Sequence, residues 1–178
     1  MKTKLLAAVL VSSFFSSAAE GAIVISNLAN QTAGITGVVA RPHAPAFPDP
    51  FIDYFSRAQS FTTGTSMLQL GQILLEMDAA PGGGVFHVDL HIDAAGIPSE
   101  TPLMALAGSD NPTTTGLFSY IPTAQLMLLP NSTYWIVAST EVIPPRENAE
   151  YHLYATQDLT ETGATGWSIG NAWRLLET

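Results

Sequence analysis

The 178-residue sequence contains no cysteine, and its only two lysines are Lys2 and Lys4. The lack of thiols excludes disulfides, zinc–thiolate sites, iron–sulfur clusters and a cysteine nucleophile. Beyond position 4 no lysine is available for a phosphate-binding loop or a Schiff base. Six basic residues against fifteen acidic ones give a formal charge of −9. This charge argues against nucleic acid as a partner, because binding it requires Lys and Arg at the phosphates.

The N-terminal segment has the layout of a secretory signal peptide. Lys2 and Lys4 precede an apolar run over residues 5–15, and small residues follow at 16–19. Cleavage after Ala19 or after Gly21 fits this arrangement. The apolar run is shorter than the ~20 residues that a membrane span needs. We therefore predict a signal peptide over 1–21, one domain over 22–178 without a membrane span, and a secreted or cell-surface location.

The rest of the chain is patterned as short strands rather than helices. β-Branched and alternating runs are separated by Gly, Pro, Asn and Ser, and no segment keeps a helical period with caps. Four prolines within residues 41–50 predict the one long loop. The pattern predicts an all-β fold, an antiparallel, jelly-roll-like β-sandwich of about nine or ten short strands.

Residues 85–93 give the clearest strand, because apolar and polar side chains alternate along it. The predicted inner face consists of Phe86, Val88, Leu90 and Ile92, and the opposite face of His87, Asp89, His91 and Asp93. Polar neighbours on one face lie ~6.5–7 Å apart, so two of them with help from another strand could bind zinc or iron. A plain solvent-facing surface is the favoured alternative. We predict no cofactor, with zinc here or calcium in the acidic loops as the alternatives.

Aromatic residues follow the proline-rich loop at Phe51, Tyr54 and Phe55. Exposed rings at this place would form a patch able to stack on sugars, whereas buried rings would simply extend the core. Trp135, within a Tyr-Trp-Ile-Val run, is predicted to belong to the core.

Gly166-Trp-Ser-Ile-Gly170 matches the G-x-S-x-G pattern of hydrolase nucleophiles. That motif needs a helix after the serine, and an acid and a histidine later in the chain. Only ten residues follow Ser168, and none is histidine. We interpret the segment as a strand between glycines and predict no catalytic residue.

Five segments in order resemble a bacterial exported family, the choice-of-anchor domains of type R. The segments are Val24-Ile-Ser-Asn-Leu28, Ala58-Gln-Ser-Phe-Thr-Thr-Gly64, Asp93-Ala-Ala-Gly-Ile-Pro98, Asn131-Ser-Thr-Tyr-Trp-Ile-Val137 and Gly166-Trp-Ser-Ile-Gly170. The resemblance implies a surface β-sandwich with no established activity, often found upstream of a PEP-CTERM sorting tail. This sequence ends at Thr178 without such a tail, which leaves open whether the protein is secreted, truncated or tailless by nature.

These observations lead to one functional expectation and two alternatives. We expect an exported surface or extracellular-matrix module, structural or binding and without catalytic activity, whose partners are extracellular polysaccharide or other surface proteins. The first alternative is a carbohydrate-binding module. The second is a metal-dependent enzyme domain that uses the strand face of His87, Asp89 and His91.

Overall fold

The computed structural model describes residues 10–13, 22–26, 31–42, 54–142, 148–156, 162–163 and 166–177. Within these ranges the chain forms strands joined by turns and loops, and the pairings are antiparallel. No helix of the described part is long and apolar enough to cross a membrane. The prediction of an all-β antiparallel fold is therefore confirmed, while the division into two packed sheets stays a prediction.

The described ranges contain fourteen strands. In the first half they are β1 Leu10–Ser13, β2 Ala22–Ser26, β3 Gln31–Pro42, β4 Tyr54–Thr62, β5 Leu68–Gln69, β6 Gln72–Gly82 and β7 Gly84–Ile92. In the second half they are β8 Met104–Ala107, β9 Gly116–Pro122, β10 Met127–Leu128, β11 Thr133–Val142, β12 Asn148–Thr156, β13 Thr162–Gly163 and β14 Ser168–Glu177. The total exceeds the predicted nine or ten because it includes β1, which lies in the predicted signal peptide, and three strands of only two residues, β5, β10 and β13.

Hydrogen bonds join most strands into one curled sheet. Its order is β12-β3-β4-β11-β7-β8-β9-β6-β1-β2-β13, and β14 pairs with β4 beside this path. Strand β12 also pairs with β6, so the path from β12 through β6 closes on itself. The short strands β5 and β10 form a separate pair. The sheet therefore has an enclosed inner face and an outer face.

Strand β1 lies within the segment predicted to be a signal peptide. It pairs with β2 and with residues Gln72–Leu74 of β6. The signal peptide stays a prediction. Cleavage after Ala19 or Gly21 would remove β1 and uncover that part of the β6 edge.

The core fills the inner face. On β6, Ile73, Leu75 and Met77 are fully buried and alternate with half-buried residues. Each side chain of this kind contributes about 1.5–3 kcal/mol on burial. Phe61 stacks between Tyr134 and Trp167, with ring centroids 5.7 and 6.2 Å apart. The inner face thus supplies the apolar burial that holds the curled sheet together.

The alternation predicted for β7 is correct through Leu90 and wrong at its end. Phe86, Val88 and Leu90 are buried as expected. Beyond them the pattern inverts, because His91 is 7% exposed and Ile92 is 49% exposed. His91 pairs across the ladder with Trp135, which is itself buried, while Ile92 precedes the hairpin turn where the inner core ends.

Candidate functional site

The outer face of β7 brings together three of the four polar residues predicted to share one face. His87, Asp89 and His91 lie opposite Ser139, Val137 and Trp135 of β11, respectively. On the other side of β7, Asp89 lies opposite Ala105 of β8. The polar residues therefore stand between two strands that present small or apolar side chains.

His91 is tied to the hairpin that follows β7. Its Nδ1 lies 2.7 Å from the carbonyl oxygen of Ser99. A carbonyl only accepts, so Nδ1 carries the proton and donates it. The ring is therefore fixed in orientation, with its Nε2 side turned away from that bond.

Asp93 accepts two hydrogen bonds, one from the turn of the same hairpin and one from β11. Its carboxylate accepts a 2.7 Å bond from the indole Nε1 of Trp135 and a 3.1 Å bond from the amide of Gly96. Gly96 and Ala95 both have positive φ in the tight turn, and the carboxylate stabilises this conformation. Asp93 thus connects the turn to a buried tryptophan.

His87 and Asp89 differ from this pair. The side chain of His87 is 43% exposed, and its Nε2 lies 3.8 Å from the Glu141 carboxylate. Asp89 is half-buried, and among the described residues no group donates a hydrogen bond to its carboxylate. Burial raises the pKa of Asp89, against the opposing effect of His91 and His87. A half-buried carboxylate without a protein donor can accept hydrogen bonds from a ligand, and groups with perturbed pKa values are concentrated at functional sites.

A cleft of about 160 Å³ opens beside Asp89. It forms because β7 and β8 pair only over Val88–Leu90 and Met104–Leu106, after which the chain leaves the ladder at Gly108. A Cβ at Gly108 would overlap the Tyr120 ring, so this departure requires glycine. The polar residues lining the cleft are His87, Asp89, Ser109, Asp110 and Tyr120, and Ala105 and Ala107 supply its small apolar wall.

Within the described residues, no group of three or more His, Asp or Glu side chains is placed to hold one metal ion. His91 and Asp93 have the structural partners given above, whereas His87 and Asp89 face the cleft. Zinc or iron on this face, and calcium in the loops, stay predictions.

The predicted aromatic patch falls at the limit of the described residues. Phe51 lies outside them, and Tyr54 and Phe55 begin β4, where they pair with Glu177 and Leu176 of β14. Its role in sugar binding stays a prediction. Trp135 is buried, as predicted for a core residue, although it lies on the outer face with Ala58 and Val137.

Ser168 of the G-x-S-x-G segment is the first residue of β14. It is exposed, whereas Trp167 and Ile169 on either side of it are buried. The segment is thus a strand that begins after the positive-φ residue Gly166.

Sequence reasoning did not identify Glu141, Ser109 or Asp110 as neighbours of the polar strand face. Each comes from another element, so only the pairing of β7 with β11 and the path after β8 bring them close. No family model matches the chain, and no curated protein or solved structure is significantly similar to it.

Proposed function

We propose that this chain is an exported surface or extracellular-matrix module that binds its partner without catalysis, through the cleft beside Asp89. The observation that carries the proposal is the half-buried Asp89 carboxylate, whose pKa burial raises and which lacks a donor among the described residues. A fold gains nothing in stability from such a group, and a ligand that donates hydrogen bonds would compensate its desolvation. The resemblance to choice-of-anchor domains supports an extracellular role.

The chemistry of the cleft favours a neutral polysaccharide as the partner. Sugar hydroxyls donate to carboxylates, and His87 and Ser109 stand beside Asp89 to take further hydrogen bonds. Next to the cleft, Ala107 pairs with the exposed Ile121 and gives a small apolar surface for the C–H face of a sugar ring. The charge of −9 disfavours anionic polymers.

A glycan array probed with the full chain and with Asp89→Asn tests the binding site. We expect binding to at least one neutral glycan, weakened about tenfold or more in the variant, in line with a lost charge-assisted hydrogen bond. Glu100→Gln is the matched control, because Glu100 is an exposed carboxylate outside the cleft.

The same variants separate a lost ligand contact from a damaged fold. Because burial disfavours the charged form of Asp89, the neutral Asn should leave stability unchanged or raise it. Equal binding by Asp89→Asn and the parent, or a lower melting temperature of Asp89→Asn, would contradict the proposed site.

Export is tested by expressing the full chain in a Gram-negative bacterium and measuring the mass of the product. We expect a periplasmic or extracellular protein that begins at Glu20 or Ala22. A cytoplasmic protein that retains residues 1–19 would refute export without bearing on the cleft.

A further inference from the structure

The seam between β6 and β12 is held at one point by the side chain of His152. The register of the two strands shifts between Glu150, opposite Gly82, and His152, opposite Asp78. The step of two residues from Glu150 to His152 on β12 therefore faces a step of four residues from Gly82 to Asp78 on β6. The β6 segment between Asp78 and Gly82 bulges out of the ladder.

Side chains and a loop satisfy the backbone of this bulge in place of β12. The Ala79 amide donates to the Asp78 carboxylate at 2.8 Å, and the Ala80 amide donates to the Thr113 carbonyl at 3.1 Å. Pro81 has no amide hydrogen to donate. The carbonyl oxygen of Ala79 lies 2.9 Å from Nδ1 of His152. His152 thus connects β12 to the bulge where the backbone ladder is interrupted.

Both ring nitrogens of His152 face acceptors. A carbonyl cannot donate, so Nδ1 must carry a proton to bond Ala79. Nε2 lies 2.6 Å from Oε1 of Glu150, and so short a contact requires a proton between the two atoms. A ring protonated at both nitrogens satisfies both contacts at once, because it donates to the Ala79 carbonyl and to the Glu150 carboxylate.

The charged groups around the ring are consistent with this form. On β6, the Asp78 carboxylate interacts electrostatically with the His152 ring. The pKa of Asp78 is lowered by the hydrogen bond from the Ala79 amide and, more weakly, by His152. From β12, Glu150 contacts the ring, and Tyr154 donates a hydrogen bond to Asp78. Glu76 is the remaining acidic residue on this part of β6. On β3, the residues opposite Glu150 and His152 are Ala40 and Val38, which carry no charge.

We propose that His152 is a pH-sensitive latch that holds β12 against β6 while its ring is protonated and loosens the seam once the ring is neutral. Loss of the Nε2 proton turns two lone pairs toward each other at the Glu150 contact. The ring then donates to Ala79 as a neutral imidazole, and the tie to the bulge weakens because this hydrogen bond is no longer charge-assisted. Histidine is the side chain that changes charge between pH 5 and 8, so the change falls within the range of natural environments.

The protonation state is measured directly on the full-length protein by long-range ¹H–¹⁵N NMR of the histidine rings. At pH 5.5 we expect both nitrogens of His152 to carry protons, and at pH 8.5 only Nδ1. A neutral ring at pH 5.5 would overturn the proposal, and this readout does not depend on any variant folding.

Stability is then compared across pH by urea unfolding of the parent, His152→Gln and Glu150→Gln. Loss of a charge-assisted hydrogen bond should raise the unfolding equilibrium constant of His152→Gln about tenfold at pH 5.5, and much less at pH 8.5. In Glu150→Gln the amide can donate to a neutral ring. We therefore expect this variant to keep the parent's free energy of unfolding at pH 8.5, and the difference in that free energy between pH 5.5 and pH 8.5 to shrink. His87→Gln is the matched control, since the Nε2 of His87 lies 3.8 Å from the Glu141 carboxylate, beyond hydrogen-bonding distance.

Hydrogen exchange at Met77 and Leu153, which pair across the seam, reports the opening itself. We expect their protection, corrected for intrinsic exchange, to fall between pH 6 and pH 8.5 in the parent and to stay constant in Glu150→Gln. If His152→Gln destabilised the protein equally at both pH values, or if the protection of the seam were independent of pH in the parent, His152 would not be a latch.

Discussion

Replacing Asp93 with alanine tests whether this carboxylate is a structural tie between the hairpin turn and Trp135. The bond to the Trp135 indole is 2.7 Å long and has a buried partner, and charge-assisted bonds of this kind are worth about 1.5–3 kcal/mol. The bond to the exposed Gly96 amide adds about 0.5–1 kcal/mol. Asp93→Ala should therefore lower the free energy of unfolding by about 2–4 kcal/mol.

Asp93→Asn should cost less, about 1–2 kcal/mol, because its carbonyl oxygen can still accept one of the two bonds. Urea unfolding followed by tryptophan fluorescence and circular dichroism measures both variants. Glu100→Ala, an exposed carboxylate of the same hairpin region, should stay within ~0.5 kcal/mol of the parent.

Two results would refute this reasoning. The first is an Asp93→Ala variant as stable as Glu100→Ala. The second is a zinc-induced rise in the melting temperature of the parent that Asp93→Ala abolishes, because the carboxylate would then act as a ligand.

Two further substitutions test the backbone of β7 and its turn, both by urea unfolding. A Cβ at Gly84 would overlap the carbonyl oxygen of Glu141 and press on Ala149, so Gly84→Ala should cost more than about 3 kcal/mol, and a cost below ~1 kcal/mol would contradict the packing. Ala95 has a φ of 58° directly before Gly96 at 89°, the geometry that Asn-Gly turns prefer, so Ala95→Asn should raise stability by about 0.5–1 kcal/mol, and a loss would contradict the turn assignment.

The strand content of the chain was predictable because it depends on local pattern. Alternation along residues 85–90 reflects which side chains face the core, and the structure buries Phe86, Val88 and Leu90 accordingly. Leu70 and Gly71 separate β5 from β6, a break that the apolar pattern of this segment does not indicate. There the Leu70 amide bonds the Leu126 carbonyl, a partner more than fifty residues away that no local pattern indicates.

The seam at His152 was not predictable for the same reason. Glu150 and His152 alternate on β12 like any polar strand face, and the sequence does not show that the carbonyl oxygen of Ala79 will lie within reach of the His152 ring. The bulge does have a local indication, because Pro81 lies within a strand and proline cannot donate to a ladder. Which side chain bonds the backbone of the bulge depends on which strand pairs with β6 there.

The polar face of β7 shows why a sequence pattern could name the candidate site without resolving it. His87, Asp89, His91 and Asp93 are equivalent in the alternation, yet the structure divides them into two pairs. His91 and Asp93 bond the hairpin and Trp135, so their polar atoms stabilise the fold. His87 and Asp89 face a cleft that exists only because β8 leaves the ladder at Gly108. A ligand site in this chain is therefore best sought at His87 and Asp89, and variants of His91 and Asp93 should change stability before they change binding.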